Sequence, residues 1–405
     1  MTNRAMGATR AHGRRDKVGL GEVLRVIRRT DRITRNELMA LTGLGRSTIS
    51  QRIEALVARG FVLEVGDGRS TGGRPPSTLM FNPQAGMVLA ADLGATHARV
   101  AVTDLSGETQ AEVTAEVEIA SGPGYVIGWL QDCFDQLLET SGHAHETVRA
   151  VGIGVPGPVE FATGRPVSPP IMPGWDGHAI PEHLQQRYPV PVLVDNDVNI
   201  MGLGEQTSIW PQCEHLLYIK VGTGIGCGIV SRGRVYRGAQ GAAGDIGHIR
   251  LADHNEVVCE CGNVGCLEAV AGGRALVREI HDYGLGATTS RDVAHLVRSQ
   301  NRDAVRLVRQ AGRNLGEVLA MLVNALNPEM IVIGGDLAVE QLFAGVREIV
   351  YQRSTALATR HLQILPSALA DHAGITGAAT MAIERVLAPD AVDAALPSIA
   401  ASLVG

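Results

Sequence analysis

The sequence is poor in aromatic residues, in long apolar runs and in cysteines arranged as pairs. Phe, Trp and Tyr make up 3% of the 405 residues, so the cores must be built from Ala, Val, Leu and Ile. No apolar run reaches the length of a membrane span, and the Arg-rich N-terminus lacks the apolar segment of a signal peptide. These absences argue against a membrane protein or a secreted disulfide scaffold. We therefore expect a cytoplasmic protein of two or three domains.

Three of the six cysteines are clustered, in the segment Cys259-Glu-Cys-Gly-Asn-Val-Gly-Cys266. The intervening glycines allow a short chain to bend so that several sulfur atoms converge on one point. With His248 eleven residues upstream, Cys259, Cys261 and Cys266 complete the four ligands typical of structural zinc. Buried unpaired cysteines, or a disulfide, are the alternative interpretation. The remaining cysteines, which we expect to be small core residues, are Cys133, Cys213 and Cys227.

Charge is distributed unevenly along the chain. Residues 1–82 include 15 basic and 7 acidic residues, a net charge of +8. The rest of the chain includes 21 basic and 35 acidic residues, a net charge of −14. A basic N-terminal part on an acidic body indicates that the N-terminal part meets a polyanion such as DNA. A basic, solvated tail without a partner is the alternative.

The basic part has the pattern of a winged helix-turn-helix domain. The domain is predicted at residues 19–82, after a disordered basic tail at residues 1–18. Thr34 and Glu37 have the spacing of a capping box at the start of one helix. Gly43-Leu-Gly45 then predicts a tight turn into the next helix, which completes the motif.

The second helix of this motif is predicted to read DNA. Ser47 is expected to cap it, and the outward side chains near its N-terminus are polar or basic groups that suit base edges. A flexible basic loop between two strands follows as the wing, which would enter a minor groove or clamp phosphates. The predicted DNA contacts are Arg46, Ser47, Thr48, Ser50, Gln51 and Arg52 on the helix and Arg69 and Arg74 on the wing. A three-helix core that does not bind DNA is the alternative.

Beyond the basic part, a repeated pattern of strands and glycine turns indicates an α/β fold. One buried strand ends in Asp92-Leu-Gly-Ala-Thr96 and a later one in Gly222-Thr-Gly-Ile-Gly226. Each is followed by a second strand, a turn and a third strand. The repeat predicts two similar lobes facing each other across a cleft, at residues 83–200 and 201–390. Residues 391–405 are predicted to form a C-terminal tail.

The two glycine turns are candidate phosphate-binding loops. Glycine lets backbone N–H groups approach phosphate oxygens, and Thr96 and Thr223 add hydroxyl donors. Neither turn is a Walker A sequence, and each alone is a weak signal because tight glycine turns are common. Their equivalent places in a repeated unit favour a nucleotide site.

Polar residues at strand ends predict a substrate site in the cleft. Asp197 is placed to accept a proton from a substrate hydroxyl, and Asn196 to hydrogen-bond the same substrate. The alternative is that Asp197 or Asn199 caps a helix. The further acceptors expected for a polyol, beside the cysteine cluster, are Asp245, His248 and Glu268.

Together these motifs resemble the ROK family, whose name joins repressors, open reading frames and kinases. The resemblance covers roughly residues 20–385 and rests on Asp195–Asn199, Gly241-Ala-Ala-Gly-Asp-Ile-Gly-His248 and Cys259–Glu268. It implies two ribonuclease-H-like lobes, similar to hexokinase and actin, around a cleft for sugar and ATP. Family members with a winged helix-turn-helix in front are sugar-responsive regulators, often repressors of carbohydrate genes. Members without it are sugar kinases.

The resemblance also implies roles for single residues. Asp197 matches the family's catalytic base, and the four ligands named above match its zinc site. The implied sugar contacts are Asn196, Asp197, Asp245, His248 and Glu268. The implied nucleotide contacts are Asp92, Gly94, Thr96, Gly222, Thr223, Gly224 and Gly226 at the phosphates and Gly334 and Gly335 at the adenosine.

Several positions depart from the kinase pattern. Ala95 and His97 stand where the first phosphate loop of the kinases usually has Gly and often Lys. Asp245 replaces a usual Glu, and Asp336 stands where a third Gly is common. The stretch Pro170-Ile-Met-Pro173 lacks the Asn commonly found there. These departures imply a retained sugar pocket with altered preference and a partly eroded phosphoryl site.

The function predicted from these features is a transcriptional regulator and not an enzyme, with residual ATP-dependent sugar kinase activity as an open alternative within it. It would bind an inverted repeat in double-stranded DNA as a homodimer or homotetramer, hold a structural zinc ion, and respond to a sugar or sugar phosphate. The alternative is a glucokinase-like sugar kinase that uses ATP, Mg²⁺ and Asp197 as general base. A scaffold that binds neither DNA nor sugar is a third interpretation.

Overall fold

The computed structural model describes residues 18–66 and 77–394. Two sequence predictions therefore fall outside the described residues almost entirely: the basic tail at residues 1–18, and the wing with Arg69 and Arg74. Among the helices that are described, none has both the length and the apolarity of a membrane span.

Contacts within the chain divide it into two units. One comprises Met1–Ala85 together with Arg385–Gly405, and is called here the N-terminal unit. The other, called the central unit, comprises Gly86–Glu384. The described residues 18–66, 77–85 and 385–394 therefore belong to the N-terminal unit.

The N-terminal unit begins with three helices and a small sheet. Its first elements are α1 (Leu20–Arg28), β1 (Ile33–Thr34), α2 (Arg35–Thr42), α3 (Arg46–Ala58), β2 (Val62–Gly66) and β3 (Ser77–Phe81). The strands pair antiparallel in the order β1-β3-β2. Leu24, Ile27, Leu38, Ile53 and Leu79 are buried between the helices and the sheet. This arrangement is that of a winged helix-turn-helix.

The caps of the two helices of the motif are set by local hydrogen bonds. The capping box predicted for α2 is present, since Thr34 Oγ1 accepts from Glu37 N and the Glu37 carboxylate accepts from Thr34 N. The prediction that Ser47 caps α3 is wrong. That helix begins at Arg46 with Gly45 as its N-cap, because the first helical hydrogen bond runs from Ile49 N to Gly45 O (3.0 Å).

The first half of the central unit, lobe 1, is a five-stranded sheet covered by helices. Its elements are β4 (Met87–Leu93), β5 (His97–Asp104), β6 (Thr109–Glu116), α4 (Pro123–Ser141), β7 (Val148–Val155), β8 (Val159–Glu160), β9 (Arg165–Pro166), α5 (Ile180–Gln185) and β10 (Val192–Asn196). The order is β10-β7-β4-β5-β6. Every residue of β4 is buried, as expected of a central strand covered on both faces.

The second half, lobe 2, has a sheet of the same size. Its elements are α6 (Asp197–Ser208), β11 (His215–Val221), β12 (Ile225–Ser231), β13 (Arg234–Val235), α7 (Leu267–Ala271), α8 (Gly273–Asp282), α9 (Ser290–Arg298), α10 (Arg302–Leu326), β14 (Met330–Gly334), α11 (Glu340–Arg353), α12 (Ala356–Thr359), β15 (Gln363–Pro366) and α13 (Ala373–Val386). The order is β13-β12-β11-β14-β15.

The two sheets are built on one plan. In each, three consecutive strands form an antiparallel meander, and two later strands add in parallel beside the first of them. β4, β5, β6, β7 and β10 thus correspond to β11, β12, β13, β14 and β15. The internal repeat inferred from the glycine turns is therefore present in the fold, and each turn lies at the end of the first strand of its meander.

A short C-terminal helix, α14 (Pro389–Ala394), belongs to the N-terminal unit and packs on α1. Gly19, the N-cap of α1, has no side chain to satisfy the first backbone N–H groups of that helix. Asp393 supplies the missing acceptor, since its Oδ1 accepts from Gly21 N at 3.0 Å. Sequence patterns did not indicate this association, which spans 372 positions.

A Gly21→Ala substitution is expected to destabilise the N-terminal unit by about 1–3 kcal/mol, because a side chain overpacks this contact. A Cβ at Gly21 would lie 2.3 Å from both Cα and O of Pro389, which are backbone atoms that cannot rotate away. Gly66→Ala is the matched control, since no atom of the described residues lies within 4 Å of a Cβ there. Calorimetric unfolding of the full chain measures both variants. Equal melting of the unit in Gly21→Ala and wild type would contradict the packing described.

Candidate functional site

The side chains of His248, Cys259, Cys261 and Cys266 converge. One ligand atom from each lies within 4.8 Å of all the others. The Cys261 and Cys266 sulfur atoms are 3.8 Å apart, and Cys259 Sγ is 3.7 Å from His248 Nδ1. Sulfur atoms bound to one tetrahedral zinc ion lie about 3.8 Å apart, given a Zn–S bond of about 2.3 Å. The four cysteine and histidine side chains therefore fit a metal ion, and the cysteines are not joined in a disulfide.

The cysteine loop is closed by its own backbone. Cys259 N donates to Asn263 O at 2.8 Å, and Gly262 N donates to Cys259 O at 2.9 Å. Gly262 and Gly265 have φ values of +89° and +73°, which residues with a Cβ rarely adopt. A hydrogen bond from the Asn263 backbone lowers the pKa of Cys261 to about 7, whereas burial raises the pKa values of Cys259 and Cys266.

His248 connects the metal cluster to a group of carboxylates. Its Nδ1 faces Cys259, and its Nε2 lies 3.9 Å from Asp245 Oδ1. A metal at Nδ1 leaves Nε2–H as a donor toward the cleft. Glu268 follows the last cysteine in α7, and its Oε2 accepts from Ile225 N at 3.1 Å. Burial raises the pKa of Glu268.

The loop at Gly222–Gly226 is partly occupied by protein groups. The Ile225 N–H is bound by Glu268, and a Cβ at Gly224 would lie 2.1 Å from Glu268 Oε2. Gly226 lies inside β12, where it pairs with Lys220, so the turn is shorter than predicted. A Cβ at Gly226 would lie 2.7 Å from the Val198 side chain. Gly226 thus allows α6 to approach the sheet.

The segment between β10 and α6 carries the predicted substrate base. Asn196 is the N-cap of α6, since its Oδ1 accepts from Val198 N at 3.0 Å and its Nδ2 donates to Gly157 O. The cap is therefore neither Asp197 nor Asn199. Asp197 is 4% exposed. Its Oδ1 accepts from Val198 N at 2.8 Å.

Lys220, which the sequence did not single out, forms an ion pair with Asp197. The Lys220 Nζ lies 2.5 Å from Asp197 Oδ2, and the lysine side chain is 21% exposed. Burial alone would lower the pKa of Lys220, but the carboxylates of Asp197 and Asp92 raise it above its ordinary value. A signal was present, because Lys17 and Lys220 are the only lysines in the sequence and Lys220 lies in an otherwise apolar strand.

The first predicted phosphate loop also faces buried charge. Asp92 is buried, and burial raises its pKa to about 7. Within the described part of the chain, its Oδ1 has no hydrogen-bond partner. Gly94 N donates to His97 O at 2.8 Å, and Thr96 is exposed. The loop therefore offers one exposed hydroxyl beside a carboxylate, which is a poor cradle for an anion.

The predicted adenosine side borders a cavity of 380 Å³ in lobe 2. Gly334, Gly335 and Asp336 line it. The Asp336 carboxylate accepts from Ser290 Oγ at 2.6 Å and from Arg291 Nε at 3.0 Å. Asp336, which stands where the kinases commonly have a third glycine, is thus held by two donors at the wall of this cavity.

Helix α3, which the sequence predicts to read DNA, presents polar side chains. Ile49, Ile53 and Leu56 face the core of the unit. The predicted contacts that are exposed are Arg46, Ser47 and Gln51, and those that are partly exposed are Thr48, Ser50 and Arg52. Arg52 Nη1 is buried and has no hydrogen-bond partner among the described residues.

Comparison with known proteins adds to these observations. The ROK family model matches residues 88–385, and the model named Transcriptional regulator DIP2311-like, C-terminal domain, matches residues 28–76. A xylose repressor from Caldicellulosiruptor bescii is 30% identical over 385 residues, which cover 90% of this chain and 95% of that protein.

Two solved structures confirm the predicted fold class. A ROK family transcriptional regulator, a homologue of the E. coli MLC protein, superposes with a TM-score of 0.79 at 24% identity, covering 92% of this chain and 96% of that one. A ROK hexokinase from Thermus thermophilus superposes with a TM-score of 0.62 at 31% identity, covering 74% and 99%. The ROK family model matches most of this chain. The chain therefore belongs to the ROK family.

Proposed function

We propose that this chain is a transcriptional repressor of carbohydrate genes whose affinity for operator DNA is changed by a sugar or sugar phosphate. The exposed polar face of α3 carries this proposal, because it lies on a winged helix-turn-helix joined to a sugar-kinase-like fold. The similarity to a xylose repressor supports it further, since that match covers 90% of the chain, whereas the hexokinase match covers 74%.

The DNA-binding part of the proposal implies a symmetric assembly. A homodimer or homotetramer would place two α3 helices about 34 Å apart on an inverted repeat, one turn of DNA. A sugar that favours one arrangement of the lobes changes DNA affinity only through that preference. The sugar would bind between Asn196 and Asp197 on one side and Asp245, His248 and Glu268 on the other.

The metal in this proposal is a structural zinc ion held by His248, Cys259, Cys261 and Cys266. Such a closed shell of four ligands leaves no position for catalysis, so the ion would stabilise the loop. The loop in turn orients His248 Nε2 and places Glu268 at the start of α7.

Arg46→Ala is expected to weaken operator binding about tenfold and to reduce its salt dependence by about one phosphate contact. The measurement is fluorescence anisotropy at several salt concentrations, on an operator selected by the protein from random duplex DNA. Arg59→Ala is the control, because Arg59 is exposed at the opposite end of α3. If the wild-type protein selects no sequence, with or without sugar, the proposed function fails.

A sugar kinase is the second candidate, favoured by the hexokinase similarity and by the buried Asp197 at the head of α6. It would use ATP and Mg²⁺. The ion pair of Asp197 with Lys220 weighs against it, because both carboxylate oxygens already accept hydrogen bonds, one of them from an ammonium group. Coupled ADP release with D-glucose and D-xylose separates the candidates, and turnover lost in Asp197→Asn would favour the kinase.

A further inference from the structure

Arg237 lies just after β13 in lobe 2, but its side chain binds lobe 1. Its Nε donates to Asp195 Oδ2 at 2.8 Å, and its Nη2 lies 2.6 Å from the same oxygen. The guanidinium carbon also lies 3.7 Å from the centre of the Phe161 ring, a cation–π distance. The arginine side chain is 23% exposed and the Asp195 side chain 3%.

Asp195 is held on its other side by its own segment. Its Oδ1 accepts from Asn196 N at 2.8 Å and from Asn199 Nδ2 at 2.9 Å. Among the described residues, Arg237 supplies both contacts to Oδ2. Arg237 therefore anchors the residue that immediately precedes Asn196 and Asp197.

The backbone that follows Arg237 leads into the other half of the candidate site. Ala243 N donates to Arg237 O at 3.2 Å, which folds the segment into a loop ending at Asp245. The loop lies close to lobe 1, since a Cβ at Gly241 would be 2.4 Å from Val159 O. At its end, a Cβ at Gly244 would be 1.9 Å from Cys227 O, so the entry to Asp245 is also tightly packed.

We infer that Arg237 is a positioning residue of the sugar site, an inference that rests on the proposed function. One guanidinium ties the end of β10 in lobe 1, which leads into Asn196 and Asp197, to the lobe 2 loop that carries Asp245 and His248. A polyol that hydrogen-bonds both groups at once needs them at a fixed separation, and binding weakens when the supporting contacts no longer hold that separation. Arg237 acts on the sugar through Asp195.

The test is titration calorimetry of the zinc-loaded full chain with D-xylose and D-glucose. Arg237→Ala is expected to raise the Kd of the sugar that binds by about tenfold to a hundredfold. Arg237→Lys keeps the charge but loses the contact made by two nitrogen atoms, and should raise the Kd by about tenfold. Arg165→Ala is the matched control, since Arg165 pairs with Glu182 at the surface of lobe 1 and should leave the Kd unchanged.

A double-mutant cycle separates positioning from a general structural role. If Arg237 acts through Asp195, then Asp195→Asn should raise the Kd similarly, and the double variant should bind no more weakly than the weaker single variant. Zinc content and sugar-free DNA affinity should stay at wild-type values in all of them. Additive losses would overturn the inference.

A failure of the role proposed for Arg237 and a failure of the sugar site itself give different results. Wild-type sugar affinity in a folded Arg237→Ala or Arg237→Lys variant would overturn the role of Arg237 and leave the proposed function intact. If Arg237→Ala does not fold, Arg237→Lys and Asp195→Asn carry the same test. A wild-type protein that binds none of D-glucose, D-xylose, glucose 6-phosphate and xylose 5-phosphate would overturn the sugar site itself.

Discussion

Replacing Cys266 by serine is expected to remove the zinc ion and to weaken sugar binding by about a hundredfold. Cys266 is fully buried, its sulfur lies 3.8 Å from that of Cys261, and it immediately precedes α7. A serine hydroxyl is a much weaker zinc ligand than a thiolate, and structural sites contribute directly to folding. Without the ion, the orientation of His248 and the position of Glu268 are no longer fixed.

The measurement combines zinc content by mass spectrometry with calorimetric titration of D-xylose and D-glucose. Cys133→Ser is the control, because Cys133 is half-buried on α4 and lies outside the cluster. Chelation of zinc from the wild-type protein should reproduce the loss of sugar affinity. A Cys266→Ser protein with full zinc content, or with wild-type sugar affinity, would show that the cluster does not shape the site.

Replacing Lys220 by methionine is expected to destabilise the central unit by about 3–5 kcal/mol. Removing one partner of a buried ion pair leaves a charge without compensation, which costs far more than the pair itself contributes. Asp197 would lose its 2.5 Å contact with the ammonium group, and Asp92 would lose the cation that most favours its ionised form. Both carboxylates are buried.

Urea unfolding of the full chain, followed at the transition of the central unit, tests this expectation. Lys220→Met combined with Asp197→Asn should recover most of the lost stability, because the double variant no longer buries that carboxylate charge. Arg306→Met is the control, since its pair with Asp303 is exposed and should contribute less than about 1 kcal/mol. A loss below about 1 kcal/mol in Lys220→Met would mean that water already compensates these charges.

The same ion pair supports the proposal that this kinase-like fold serves as a sugar receptor. Asp197 stands at the helix start where a proton acceptor is required, yet its two oxygens accept from Lys220 and from Val198 N. Nearby, Asp336 adds a carboxylate to the wall of the cavity at Gly334 and Gly335. Each of these two carboxylates is paired with a cation, Asp197 with Lys220 and Asp336 with Arg291, and each oxygen that accepts such a bond is less available to a substrate proton or a metal ion.

Local features of this protein were determined by the sequence alone. The capping box at Thr34 and Glu37, the cysteine loop at Cys259–Cys266 and the repeated strand-turn-strand pattern depend on residues a few positions apart. Their geometry follows from backbone conformation, glycine spacing and the alternation of apolar residues. The N-cap of α3 is an exception. The sequence predicts Ser47, whereas the structure has Gly45, two residues earlier.

Only the tertiary structure decided which distant residues meet. Lys220 binds Asp197 across 23 positions, Arg237 binds Asp195 across 42, and Asp393 caps α1 across 372. A charged residue in a sequence gives its sign but not its partner, because the partner depends on strand order and on how closely the lobes approach. The cysteine and histidine cluster is local and could be predicted from the sequence, whereas the ionic contacts of Lys220 and Arg237 form only when distant segments of the chain pack together.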